Sequence, residues 1–302
     1  MDDVLLRSTL RAQGYSDGEL AALVAAGGLL RLRRGTYARP DGIERSVEEE
    51  HRRLLHATLP HLAQDGTVVS HGSAAVLHGL PVWSGAVSRV HITRPRQGGG
   101  RTRPTVERHT SPLRRDEITA VDGWDVTTAA RTVVDLARTR PLEQGVAAAD
   151  KALALGLEEV ELLAALGRAH GWPGIGVARR ALLLADARAE SAGESVSRVR
   201  LAELGLAEPE LQHEVTGPDG FTARLDFAWP QLGVLGEFDG RVKYGRLLRA
   251  GQDPGEVVFA EKLREDMLRD LGWQVVRWIW ADLDNFGPVA ERLRRAFARA
   301  AA

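Results

Sequence analysis

Three carboxylates stand inside two short alternating runs. Asp226 lies in Phe221–Trp229, Glu237 and Asp239 lie in Gly233–Asp239, and Pro230-Gln231-Leu232 separates the runs. Acidic side chains are poor strand formers and are costly among apolar neighbours. A divalent metal is one reason to keep three of them there. Hydrolysis of a phosphodiester needs a metal to hold phosphate oxygens and to lower the pKa of the attacking water. Mg2+ (or Mn2+) asks for oxygen ligands and retains several waters, so two or three carboxylates suffice. Glu237 and Asp239 are two residues apart on a strand and share one face, about 6.5–7 Å from each other. Asp226 meets them if the strand register sets it opposite Glu237, and Glu194, on a preceding helix, is a fourth candidate acid. The same chemistry wants a cation beside the nucleophile, a task suited to the compact ammonium of lysine with its tunable pKa. Only three of the 40 basic residues are lysine, Lys151, Lys243 and Lys262, and the last two fall in this segment.

Plainer readings compete with this one. Asp239-Gly240 is a turn signal, Gly236 marks a bulge, and Lys262 pairs with Glu265 or Asp266 on a solvated helix. Each residue taken singly favours the plainer reading. Strand placement, a shared face and the retained lysines together favour the metal.

The elements that position these groups come last in a chain of 302 residues, long enough for two or three domains. Hydrophobic and charged fractions of 44% and 27% are those of a globular protein, and no apolar run approaches the ~18 residues of a membrane span. Without cysteine there is neither a disulfide framework nor a thiolate zinc site. A cytoplasmic protein with no membrane partner is expected. The net charge of −1 announces no nucleic acid, yet eight arginines crowd the stretch from 86 to 116, among them Arg94, Arg96, Arg101 and Arg103. Such a stripe can hold phosphates on a neutral protein, or can be a solvated loop.

At the N-terminus, Val4–Gln13 reads as a helix, Ser16-Asp17-Gly18-Glu19 as a capping box opening a second, and the stretch around Arg34-Gly35 as a hairpin turn. That order predicts a winged helix-turn-helix over residues 1–45, with Arg31, Arg33 and Arg34 on a phosphate-contacting wing. The second helix exposes Asp17, Gly18 and alanines, so it carries little to read base edges. Residues 46–140 read as a mixed α/β unit with a helix over Ser46–Leu62 and a strand over Val87–Thr93. Residues 141–188 read as a helical connector broken near Gly171-Trp172-Pro173-Gly174. The histidine pairs His51/His56 and His71/His78 lack a metalloprotease pattern and are expected to be packed and hydrogen-bonded.

The stretch GYSDGELAALVAAGGLLRLRRGTYARP, with SHGSAAVLHGLP and WDVTTAARTVVDLAR, resembles AbiEi-type antitoxins over the first half of the chain. The resemblance implies operator DNA and a cognate toxin protein as partners.

Residues 189–302 read as a helix opened at Ser191-Ala192-Gly193-Glu194, three antiparallel strands, a helix over Glu256–Leu271, a strand over Trp273–Trp280, and a last helix starting at Asp282 or Asp284. That is the core order of the PD-(D/E)XK nuclease fold, so the fold class is α/β (α+β) with three distinct modules. ESAGESVSRVRLAELGL, RLDFAWPQLGVLGEFDGRVKY and EKLREDMLRDLGWQVVRW are similar to the very-short-patch-repair-endonuclease-like family. By that likeness Asp226 and Glu237 match its metal-binding acids, Asp239 the second acid of its E-x-D-G, and Glu194 its helix glutamate. Arg264, Leu268, Gly272, Trp273 and Arg277 match its R-x3-L-x3-G-W-x3-R tail. Where many relatives follow E-x-D-G with histidine, this chain has Arg241-Val242-Lys243-Tyr244. Lys243 and Lys262 are both candidates for proton transfer.

Three functions stand open: a metal-dependent endodeoxyribonuclease, an antitoxin-like repressor that keeps the nuclease fold for binding, and an interaction scaffold.

Overall fold

The computed structural model describes residues 4–62, 66–83, 85, 87–94, 105–240 and 254–300. The chain forms two compact units, one of Met1–Ala148 with Gly156–Arg179, the other of Ala149–Leu155 with Arg180–Ala302. Both mix helix and sheet, so the α/β class expected from the sequence is what the chain adopts.

The first unit begins with β1 (Val4–Leu6), α1 (Arg7–Ala12), α2 (Asp17–Ala25), β2 (Leu30–Arg33) and β3 (Thr36–Ala38). Val4–Leu6 was expected to open a helix. It pairs instead with β3, Val4 opposite Ala38 and Leu6 opposite Thr36, because the β2–β3 hairpin leaves an open edge that three apolar residues can cover. The helix starts only at Arg7. The capping box before α2 is present in full: Ser16 Oγ accepts the Glu19 N–H, and the Glu19 carboxylate accepts the Ser16 N–H. Leu10, Leu20, Leu29 and Tyr37 close a small core beneath these elements.

The same unit continues with α3 (Val47–Thr58), β4 (Val68–Val69), α4 (His71–Leu77), β5 (Val90–Arg94), β6 (Val106–Thr110), β7 (Ile118–Val121), β8 (Trp124–Thr127) and α5 (Ala129–Thr139). Its five strands lie in the order β6-β5-β4-β8-β7. Leu55, Val69, Ala74, Ile92 and Val126 are shared between that sheet and α3 and α4. The strand expected over Val87–Thr93 starts three residues later. Three further strands, β6, β7 and β8, are too short and too polar to be read from alternation.

The WDVTTAARTVVDLAR motif is architectural. Arg131 and Asp135, one helical turn apart on α5, are both buried and joined at 2.9 Å, and Arg138 donates to the other Asp135 oxygen at 2.9 Å. Arg131 also reaches Glu117 at 3.2 Å and Ser111 Oγ at 2.8 Å, while the Trp172 ring lies under both guanidiniums at 4.6 and 5.1 Å. Each of the three α5 charges, Arg131, Asp135 and Arg138, has an opposite charge or a π face beside it, which is the condition for burying such groups. The SHGSAAVLHGLP motif is architectural too. His51 bonds Val87 O and Ser73 Oγ, and His78 bonds Thr127 O, as expected of packed histidines. Burial pushes His51 down to about 4 and His91 to about 3, and drives His71 well below its ordinary value.

Next come α6 (Leu142–Ala154), α7 (Glu159–Arg168) and α8 (Ile175–Leu183), with the division between units running through α6 and α8. The stretch 141–188 is helical as expected. It breaks twice, at Gly171–Gly174 and also near Gly156, whose φ of 95° is left-handed.

The second unit holds α9 (Ala192–Glu203), β9 (Glu210–Thr216), β10 (Thr222–Trp229), β11 (Val234–Asp239), α10 (Pro254–Asp270), β12 (Gln274–Ile279), α11 (Trp280–Leu283) and α12 (Gly287–Ala300). The sheet runs β12-β11-β10-β9; its first three strands in sequence are antiparallel, and β12 returns parallel to β11 after α10. Leu225, Ala228 and Leu235 pack with Leu268 of α10. On the α9 side, Trp278 donates to Ser197 Oγ at 2.7 Å, and its ring covers Phe227 and Gly236. The last helix begins at Gly287, later than Asp282 or Asp284, because the short α11 uses Asp282 as its own cap. Among the described residues no helix is long and apolar enough to cross a membrane.

Candidate metal-binding acid cluster

The site is built around an interruption in the sheet. The β9–β10 ladder pairs Leu225 with His213 and Phe227 with Leu211, and it skips Asp226. Gln212, facing the gap, takes a left-handed φ of 54°, a conformation rare for a side chain of its kind. The released Asp226 carboxylate accepts the Phe238 N–H at 2.8 Å. On the other side of β10, Phe227 pairs with Gly236, and the same register carried one step further sets Asp226 opposite Glu237.

Glu194 comes to the cluster from the first turn of α9, where a carboxylate is favoured by the exposed N–H groups. It is 7% exposed, and each of its oxygens is held: Oε1 by Ser191 Oγ at 2.7 Å, Oε2 by the Glu190 N–H and by Gln212 Nε2, both at 2.9 Å. Close approach of α9 to β11 requires Gly193, since a Cβ there would lie 1.9 Å from Phe238 Cε1. Burial and then the neighbouring Glu194 charge push the Asp226 carboxyl up to about 6, with Glu237 adding to the rise; the Phe238 N–H and Gln212 oppose it.

Glu237 is answered by arginine. Arg264 of α10 donates to Oε1 at 2.5 Å, and Arg277 of β12, its parallel partner, brings Nε to 3.1 Å from Oε2. That second approach is close enough for charge attraction but is not aligned as a hydrogen bond, so Oε2 is buried without one. Two arginines of the tail motif therefore act on the acid that the motif follows in sequence. Asp239 stands exposed at the end of β11. Lys262 is exposed on α10 two residues before Arg264, about 200° around the helix from it, and so turns away from Glu237. Lys243 lies outside the described residues.

Three participants went unrecognised in sequence. Gln212 bridges Glu194 and the Asp226 gap, and nothing but its left-handed backbone marks it. Lys151 and Arg224 line a cavity bounded also by Arg188, Glu190 and Gln212, so it adjoins the cluster through Gln212. Arg224 is ion-paired with Glu190 at 2.9 Å.

The donor set suits a hard cation: carboxylate oxygens, a glutamine nearby, a buried Glu237 oxygen without a hydrogen bond, and an Asp226 whose ionisation is opposed by two acids. Glu194, Asp226 and Glu237 do not each offer an oxygen within 4.8 Å of the others; among the described residues only His91, Glu107 and His109 do so. The acids must draw together to share one ion.

Of the arginines expected at a nucleic-acid surface, Arg31 and Arg34 are exposed around the hairpin. Arg33 turns inward and donates to Ala57 O at 3.1 Å, and Arg94 donates to Thr67 Oγ1 at 3.0 Å. Arg96, Arg101 and Arg103 lie outside the described residues, as does the Gly98–Gly100 loop.

Two curated proteins of Mycobacterium tuberculosis are similar along nearly the whole chain. Uncharacterized protein Rv2248 (strain ATCC 25618 / H37Rv) and uncharacterized protein MT2308 (strain CDC 1551 / Oshkosh) are each 31% identical over 286 residues, covering 93% of this chain and 97% of theirs. A crystal structure of the RV2827C protein from the same organism aligns with a TM-score of 0.39 and 17% identity, over 72% of this chain and 84% of that one, a likeness that fixes neither fold nor function. No protein-family model matches the chain.

Proposed function

The chain belongs to the family of the mycobacterial proteins Rv2248 and MT2308, and we propose that it is a DNA-binding, Mg2+-dependent (or Mn2+-dependent) endodeoxyribonuclease. The observation that carries this reading is the setting of Asp226: half-buried, across from Glu237, raised by Glu194 and opened to one side by a sheet interruption. In this reading the second unit is a PD-(D/E)XK nuclease domain. Its element order, with three antiparallel strands and a parallel fourth after α10, supports that reading. The N-terminal helices and hairpin form a winged helix-turn-helix whose Arg31 and Arg34 touch phosphates.

Asp226, Glu237 and Asp239 would hold the ion, with Glu194 fixing the near edge of the site through Gln212. A bound Mg2+ supplies a polarised phosphoryl oxygen and a more acidic water. The chain's own groups do the rest. Lys151 and Arg224 draw the phosphate backbone toward Gln212. Arg264 and Arg277 hold the Glu237 carboxylate oriented. Lys262 faces away from Glu237, and Lys243, the other candidate for proton transfer, lies outside the described residues.

The test is supercoiled DNA incubated with Mg2+ or Mn2+. The reading expects nicking by the wild type, none with chelator and none by Asp226→Asn. DNA left intact by the wild type in both metals would sink it.

A second reading is an AbiEi-like repressor that binds operator DNA and a cognate toxin and uses the nuclease fold only for binding. The pairing of Glu237 with two arginines favours it, because that charge is already balanced without an ion. It expects binding to DNA of its own promoter that chelators do not change.

A further inference from the structure

We propose that His91, Glu107 and His109 bind one divalent ion of the zinc class, fastening the edge strand β6 to β5 in the first unit. The site is separate from the carboxylate cluster and unlike it in chemistry. The parallel pairing of β5 and β6 sets His91 beside Glu107 and Thr93 beside His109. Glu107 and His109, two apart, share a face of β6, and His91 reaches them from β5. One donor atom from each of the three lies within 4.8 Å of the other two. His91 Nδ1 and His109 Nε2 are 2.9 Å apart, and Glu107 Oε1 is 3.9 Å from that same His109 nitrogen.

These spacings are close to what a tetrahedral ion requires. Bonds of about 2.0–2.1 Å put two ligating nitrogens about 3.3 Å apart, so the rings need open by only a few tenths of an ångström. As they stand, one ring nitrogen donates its proton to the other. Metal binding asks both for a lone pair, and the donor ring meets that by moving its proton to its second nitrogen, with no net proton released. Two imidazoles and a carboxylate select zinc-class ions over Mg2+, whose preference is all oxygen.

A further feature of the same cluster points to a ligand. His71 stacks on His109 with ring centroids 3.6 Å apart, is 1% exposed, and its Nε2 has no hydrogen-bond partner. Its backbone is left-handed, with φ of 51°, a conformation uncommon for a residue with a side chain. A water on the open fourth position of the ion is a natural partner for a buried nitrogen of this kind. Positive neighbours oppose a cation: Arg89 lies 3.7 Å from Glu107 Oε2, and Arg138 and Arg140 act on the histidines. Glu107 and Asp135 offset them, which is why the carboxylate is needed among the ligands.

The experiment uses the full chain, stripped with chelator and titrated with Zn2+ by calorimetry, with Co2+ as an optical probe. With Mg2+ in excess to fill the carboxylate cluster, the expected result is one Zn2+ per chain and the intense visible bands of tetrahedral Co2+. His109→Gln should weaken binding at least a hundredfold and Glu107→Gln at least tenfold, while Asp226→Asn leaves it unchanged. Absence of stoichiometric Zn2+ in the wild type, or undiminished binding in both variants, would overturn the proposal. Should His109→Gln fail to fold by circular dichroism, the wild-type Co2+ spectrum and the near-isosteric Glu107→Gln decide it: octahedral-weak bands or unchanged affinity overturn it.

Discussion

Arg264 Nη2 lies 2.5 Å from Glu237 Oε1, so the acid at the centre of β11 is clamped by the helix that follows it in the chain. The pair is about a quarter exposed on either side, shielded enough to matter and wet enough to be modest. Without Arg264, Glu237 adds its charge to Asp226 and Glu194 with less compensation. Arg264→Gln should therefore lower metal-free stability by about 1–2 kcal/mol. Saturating Mg2+ should raise its melting temperature more than that of the wild type, a difference read by thermal unfolding with and without the ion.

Asp226 gives a pH dependence with a definite sign. Its folded pKa, about 6, lies above the ordinary 3.8, so the folded state holds this proton more tightly than the unfolded chain does. The favourable contribution is complete below about 4 and is lost as pH rises through about 6. Asp226→Asn keeps an oxygen for the Phe238 N–H but carries no charge. It should exceed the wild type in metal-free stability by about 1–2 kcal/mol at pH 7.5, after allowance for screening, and match it near pH 4. Denaturant unfolding at the two pH values checks this. Because the ion competes with that proton, apparent metal affinity should fall about tenfold per unit below pH 6.

Gly193→Ala tests how the acids are positioned. The new Cβ would meet the Phe238 ring and, through it, the strand that carries Glu237. We expect a loss of about 2–3 kcal/mol from overpacking, together with loss of the Mg2+-dependent rise in melting temperature, because Glu194 is the next residue. Unchanged stability would mean that α9 can move away from β11 without cost.

How much of this was legible in sequence follows from which features are local. The capping box at Ser16 and Glu19 and the shared face of Glu237 and Asp239 need only neighbouring residues, and they could be read directly. The ladder gap at Asp226 could not: it depends on Gln212 taking a left-handed φ fourteen residues earlier, with no glycine to mark it. Which arginine turns inward was equally hidden. Arg31 and Arg33 are two apart and would share a face of a regular strand; a register shift between them against β3, together with the seating of α3, lets Arg33 bond Ala57 O. The meeting of His91 with His109 depends on parallel pairing across an eighteen-residue separation, and the short β6 gave no alternation to suggest it.

That division of the arginines is itself testable. Arg31→Glu with Arg34→Glu should weaken DNA binding at least tenfold at low salt and flatten its salt dependence, with the melting temperature preserved. Arg33→Glu should act mainly on stability, since it removes a donor from Ala57 O. Fluorescence anisotropy over a salt series, with thermal unfolding alongside, separates the two effects.

The central claim is that Asp226, with Glu194 and Glu237 beside it, holds a hard divalent ion, and calorimetric titration with Mn2+ tests it most directly. The account predicts Mn2+ binding at the carboxylate cluster that is weakened at least a hundredfold by Asp226→Asn and untouched by His109→Gln. Mn2+ binding that survives Asp226→Asn at full strength, or no binding by the wild type above pH 7, would contradict it.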